Sequence, residues 1–330
     1  MMDNNQLYKK SLEQGFWQYW NGKKSSVAFS ADMLDSEHGV GRLPVFKKEF
    51  ADRNILMKPD ANEEDKRRLV NLIPDRKRHK WFRSMSSSQA LALSFFGNLV
   101  IYSQLDWLRD LRDNDGKAIF GTADLSASNF SMEHEVGTLN EPRPTSLDFY
   151  ISGRYRVAIE CKLTEIEMGP CSRPRLKKDS PEYCDGSYSV QGRRKSRCAL
   201  TEIGVRYWDY VPALFKWSAD RDYDVCPLKN NYQLVRNVLS ACVREDGVAS
   251  PSNGHAVLVY DERNPAFAES GKGAKAFRLT QEVLHESQNL RKVSWQRMCS
   301  FMKENKKLSW LTEAIADKYG ISEQLISKTI

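Results

Sequence analysis

The sequence has no run of about eighteen apolar residues, and its first residues, MMDNNQLYKK, contain no signal-peptide core. The expectation is a cytoplasmic chain without membrane contact. No internal repeat is visible. Histidine is scarce, with five in all, and His134 reads as a packed or surface residue because nothing nearby supplies partners for a ligand role. Tight CxxC pairs are absent. The seven cysteines are an odd number in a chain without an export signal, which argues against disulfides. Neither sign of charge dominates: 50 Lys and Arg against 43 Asp and Glu give +7, which permits nucleic-acid binding without demanding it. The apolar and charged fractions are those of an ordinary globular protein, and the length allows one large core with additions.

The most informative stretch is 145–165, TSLDFYISGRYRVAIECKLTE. It reads as a β-hairpin, with two alternating runs joined by Ser152-Gly153-Arg154. In the second strand Val157, Ile159, Cys161 and Leu163 share one face, so Glu160 and Lys162 project from the other. In the first strand Leu147, Phe149 and Ile151 are the apolar set, which leaves Asp148 on the polar side. Two carboxylates beside a fixed ammonium suit metal-assisted phosphodiester cleavage, because hard oxygen ligands favour Mg²⁺. An isolated E-x-K on a strand is common as a weak ion pair. The preceding Asp148 and the strongly apolar opposite face make this one unusual.

Asp148, followed after eleven residues by Glu160-Cys161-Lys162, resembles the active-site pattern of the PD-(D/E)XK nuclease superfamily. The segments SSSQALALSFFGNL, LDFYI, IECKLTE and YQLVRN resemble a bacterial restriction-endonuclease-like branch of it. Leu147 stands where the name-giving proline would be, and that proline supplies no metal ligand in the family. The resemblance implies an α/β fold with a restriction-endonuclease-like αβββαβ core, a mixed sheet flanked by helices, and DNA as substrate. It also implies Mg²⁺ (or Mn²⁺) held by Asp148, Glu160 and the Cys161 carbonyl, with Lys162 positioning or activating the attacking water. An upstream acidic residue often joins such a site. Glu135 is the first candidate and Glu133 the reserve, a solvent-facing carboxylate being the other reading.

The rest of the chain falls into the same order. Ser86-Ser87-Ser88-Gln89 reads as a capping box opening a buried helix. Asp106–Asp113 reads as a second helix, and 130–136 as a strand with Glu133 and Glu135 on one face. Asn231–Val243 reads as a helix with apolar Leu234, Val238, Leu239 and Cys242. The resemblance makes Gln233 on this helix a candidate for the active site; otherwise it is a surface residue. His255–Asp261 reads as a buried strand. Residues 1–60 read as short helices and loops, and 276–330 as a helical tail with a turn at Gly320. Two basic stretches, 62–83 with Trp81 and Phe82, and 173–197, would suit a phosphate backbone or a solvated face.

Three segments are expected: an N-terminal helical and basic extension (1–84), a nuclease core (85–262) with an insertion at 169–228, and a C-terminal helical region (263–330). The insertion has too few apolar residues to order itself. Its Cys171, Cys184, Cys198 and Cys226 would close a structural Zn²⁺ site, although gaps of twelve, thirteen and twenty-seven residues also suit scattered reduced thiols. The functional expectation is a metal-dependent endonuclease of restriction or defence type, a homodimer if it cuts both strands. The alternative is a nucleic-acid-binding or regulatory module on the same fold without chemistry.

Overall fold

The computed structural model describes residues 3–26, 28–35, 42–113, 115–121, 125, 129–142, 144 and 146–322. Thr145, at the head of the hairpin stretch, and the end of the tail from Glu323 onward lie outside the described residues.

Five strands form one mixed sheet, in the order β1 (Asn129–Glu135), β2 (Ser146–Ser152), β3 (Arg156–Cys161), β4 (Gly254–Tyr260) and β5 (Leu290–Ser294). The first three are antiparallel neighbours, while β3, β4 and β5 run parallel. Parallel neighbours need long crossovers, and the cysteine-bearing insertion lies in the first of these. The helices are α1 (Asn4–Ser25), α2 (Glu63–Asn71), and α3 (Ser88–Ala92), which continues through a π turn (Leu93–Gly97) into α4 (Asn98–Ile101). They continue with α5 (Ala199–Glu202), α6 (Tyr207–Leu214), α7 (Tyr232–Cys242), α8 (Lys272–Glu282), α9 (Trp295–Glu304) and α10 (Ser309–Tyr319). The run α3–α4, β1, β2, β3, α7, β4 is the expected αβββαβ order. The architecture is α/β and restriction-endonuclease-like.

Alternation along the strands makes both faces of the sheet apolar. Phe149, Ile151, Val157, Ile159 and Cys161 share a buried cluster with Phe16 of α1, Phe95 and Phe96 of the π turn, Trp295 of α9 and Tyr319 of α10. Phe96 stacks on Phe149 with ring centroids 4.7 Å apart. Tyr150, Ala158, Ala256 and Leu258 turn the other way, against Val211 of α6 and Leu234 and Val238 of α7. Each fully buried side chain of this kind contributes about 1.5–3 kcal/mol. Polar Glu160 and Lys162 are buried at the end of this otherwise largely apolar face, where α7 turns polar side chains toward them.

Three expectations change. The tail 276–330 is not wholly helical, because it contains β5. LRKVS is short and carries Arg291 and Lys292 mid-strand, so its own pattern is weak; pairing of Ala256 with Leu290 through Tyr260 with Ser294 on β4 makes it a strand. The segment 106–113 is a 3₁₀ turn, Asp106–Asp110, rather than a helix. The N-terminus is one long helix, α1, whose Tyr8, Leu12, Phe16, Tyr19 and Trp20 fall on one buried stripe.

Ser294 ends β5 and caps α9, its hydroxyl accepting from the Arg297 N–H at 3.0 Å. Ser294→Ala should lower the unfolding free energy by about 1 kcal/mol, measurable by urea denaturation. A change below a few tenths would show that the cap carries no weight.

Candidate active site

At Asp148 the sheet opens on both sides. The β1–β2 ladder pairs Met132 with Phe149 and His134 with Leu147, skipping the intervening Glu133 and Asp148. Glu133 adopts a φ of +47°, a conformation that costs a non-glycine residue about 1–3 kcal/mol. The Ser146 hydroxyl donates to its carboxylate, and Lys77 Nζ donates to its carbonyl at 3.0 Å. On the other side, the β2–β3 ladder runs only from Ile151–Val157 to Phe149–Ile159. Beyond it, Asp148 Oδ2 accepts from the Cys161 N–H at 2.6 Å. A carboxylate thus replaces a main-chain acceptor, next to Glu160.

Glu160 of β3 and Lys162, which follows the strand directly, pair at 2.9 Å, both buried. Lys162 is anchored by its own backbone, its N–H donating to Val259 O at 2.8 Å and its carbonyl accepting from Trp295 Nε1 at 3.2 Å. From α7, Gln233 Nε2 donates to Glu160 Oε1 at 2.7 Å and Asn237 Nδ2 to Oε2 at 3.1 Å. The Arg236 guanidinium lies 3.7 Å from Oε2 and also donates to Asn237 Oδ1 at 2.9 Å. Positions 233, 236 and 237 are one helical turn apart and share a face. That spacing was the available signal for Arg236 and Asn237, which the apolar pattern of the helix obscured.

The two acids are poised differently. Burial first, then the neighbouring Glu160 and Glu133, push the Asp148 carboxyl well above its ordinary value. Burial also pushes Glu160 up, but the Lys162 ammonium and the Arg236 guanidinium outweigh it and hold the group below its ordinary value. Burial opposes the charge on Lys162, yet Glu160, Glu165 and Asp148 raise its pKa, so it stays a cation. Glu133 is pushed up, chiefly by burial.

Asp148, Glu160, Lys162 and Gln233 therefore come together, and Glu133 is the β1 carboxylate that reaches them. Glu135 is exposed and pairs with Lys77 at 3.4 Å. Gln89 is not the reciprocal partner of a capping box: Ser87 caps α3, while Gln89 Oε1 accepts from the His79 N–H at 2.8 Å. A cavity of about 630 Å³ borders the site, and Asp148, Glu133, Glu165, His79, Trp81 and Leu43 are among the residues that line it. The aromatic-basic stretch 62–83 thus supplies part of its wall. Glu165 is held by the Ser88 hydroxyl at 2.8 Å and the Leu163 N–H at 2.7 Å. In the second basic stretch, Arg173, Arg175 and Arg197 are engaged by Glu182, Glu167 and Asp222.

Among the described residues, no three His, Cys, Asp or Glu side chains converge closely enough to hold a metal ion by themselves. The donor set of Asp148, Glu160 and the Cys161 carbonyl is nevertheless all hard oxygen and fits Mg²⁺ in chemistry, since that ion needs only one or two carboxylates and keeps several waters.

A model of the family described as Restriction Endonuclease associating with ARP matches residues 18–320. The chain belongs to this family. No curated protein and no solved structure matches it. The matched range spans the five strands and the helices α2 to α10 entire, so membership rests on the whole core rather than on the hairpin alone. Among the described residues no helix is long and apolar enough to cross a membrane.

Proposed function

We propose that this member of the restriction-endonuclease family is a metal-dependent endonuclease of the PD-(D/E)XK type that hydrolyses DNA phosphodiester bonds. The observation that carries the reading is the convergence of Asp148, Glu160 and Lys162 where the β2–β3 ladder opens. Asp148, Glu160 and the Cys161 carbonyl would hold Mg²⁺ or Mn²⁺, which supplies Lewis-acid stabilisation of charge at phosphorus. The chain's own groups do the rest. Lys162, kept protonated chiefly by the Glu160 carboxylate, donates to the attacking water and to the developing negative charge. Gln233 and Asn237 fix both oxygens of Glu160, so its orientation does not depend on the ion. Glu133 adds negative charge beside Asp148 and favours a cation there.

Incubation of the purified chain with duplex DNA, single-stranded DNA and RNA, each with Mg²⁺, tests the substrate class. Cleavage of DNA supports the reading. Cleavage of RNA alone, or binding of all three without cleavage, would overturn it. Gln233→Ala should lower the cleavage rate about tenfold, a typical loss for a group that orients a reacting one. Single-turnover kinetics check this, and an unchanged rate would remove Gln233 from the site.

A further inference from the structure

The insertion between β3 and α7 has little regular structure, yet it is held in one arrangement. Backbone hydrogen bonds stitch its separate pieces together. The Cys171 N–H donates to Lys229 O at 2.9 Å, the Cys226 N–H to Gly186 O at 2.8 Å, and Tyr188 and Tyr223 exchange two bonds of 2.9 Å. These ties bring together the segments around Cys171, Cys184 and Cys226, which are far apart in sequence. Cys198, just before α5, packs against the same apolar cluster as Cys171 and Cys226. All four thiols are free. Every one of the six pairings among them lies within electrostatic range.

Three of the four also share a local turn. The Sγ of Cys171 accepts from the Arg173 N–H, that of Cys184 from the Gly186 N–H, and that of Cys226 from the Leu228 N–H. In each case the donor is two residues ahead. Gly186 reaches its position with a φ of +92°, which glycine adopts without penalty. A main-chain N–H aimed at a sulfur stabilises a thiolate rather than a thiol, and a thiolate is the form a metal binds.

We propose that Cys171, Cys184, Cys198 and Cys226 form a structural Zn²⁺ site that pins the insertion to the start of α7. Four thiolates around a tetrahedral ion are a closed set, with no position left for a substrate. The four sulfurs do not yet meet at ligand distance, so the side chains must rotate inward as the ion binds. Each thiol gives up its proton to solvent on ligation. Because α7 begins at Tyr232, one short segment beyond Cys226, the site would steady the helix that holds Glu160.

The test is the metal content of the full chain by mass spectrometry after purification without chelator, beside replacement of the metal by Co²⁺. One zinc per chain is expected, with the visible and thiolate charge-transfer bands of tetrahedral cobalt after replacement. Cys171→Ser and Cys226→Ser should lose the zinc, while Cys299→Ala, in the opposite core cluster, should keep it. Asp148→Asn should also keep it, which separates this site from the nuclease centre. Absence of zinc together with a disulfide among these cysteines would overturn the proposal. So would zinc retained by both serine variants, or a cobalt spectrum without thiolate bands. The cobalt spectrum of the unaltered chain decides the matter even if the variants fail to fold.

Discussion

Asp148→Asn is expected to reduce DNA cleavage by on the order of a thousandfold or more, since it removes a carboxylate from a centre where charge stabilisation dominates catalysis. The same substitution should leave the fold intact and raise its stability by about 1 kcal/mol. Asparagine is nearly isosteric and keeps an oxygen for the Cys161 N–H, which Asp148 now holds at 2.6 Å. What it removes is a buried carboxyl pressed by Glu160 and Glu133. The sign of the pH effect follows. The folded carboxyl has a raised pKa, so the folded state keeps a proton that the unfolded chain gives up. That contribution to stability is present below the ordinary value of 3.8 and is lost as pH rises through the raised folded value. The unaltered chain should therefore lose stability over this window relative to Asp148→Asn. Thermal unfolding of both proteins across pH checks it, and parallel profiles would contradict it. Glu160→Gln should do the opposite to stability, costing about 3–5 kcal/mol, because it leaves the Lys162 and Arg236 cations buried without their carboxylate. Opposite signs at two acids of one site are hard to produce by general surface effects.

Gly254→Ala should be the most damaging single methyl in the core. Gly254 opens β4 opposite Arg156 and beneath the last turn of α7. Its backbone is extended, so conformation is not the obstacle. An added Cβ would lie 2.1 Å from Ala241 O and 2.7 Å from Ala241 C. Those are backbone atoms that cannot swing aside, and Arg156 Nε already donates to the same carbonyl at 2.8 Å. Relief requires α7 to lift from the sheet, and α7 carries Gln233, Arg236 and Asn237. The expected loss is about 3 kcal/mol, at the upper end for overpacking, accompanied by reduced cleavage. Denaturant unfolding measures the first and single-turnover kinetics the second. A loss below about 0.5 kcal/mol, the range of an ordinary surface change, would mean that α7 is not seated as described.

Much of this was legible in the residues themselves. Strict alternation around Ser152-Gly153-Arg154 specifies the hairpin and puts Glu160 and Lys162 on one side. The apolar face of 231–243 and the apolar run of 255–261 supply the next helix and strand. Other parts were not legible, for identifiable reasons. Alternation alone places Glu133 and Glu135 together, but the positive φ at Glu133 breaks the pleat and sends the two carboxylates to different surroundings. Arg236 and Asn237 are polar residues on a helix read for its apolar stripe, and only a partner on β3 gives them meaning. β5 depends on a neighbouring strand almost as much as on its own five residues. The cysteine turns depend on main-chain N–H directions, which no spacing rule conveys.

The most direct measurement is the conversion of supercoiled plasmid to nicked or linear DNA by the purified chain, with Mg²⁺, with Mn²⁺ and with EDTA, beside Asp148→Asn. The account predicts conversion with either metal, none with EDTA, and none by the variant although it is folded. Equal cutting by Asp148→Asn, or cutting that persists in EDTA, would contradict it.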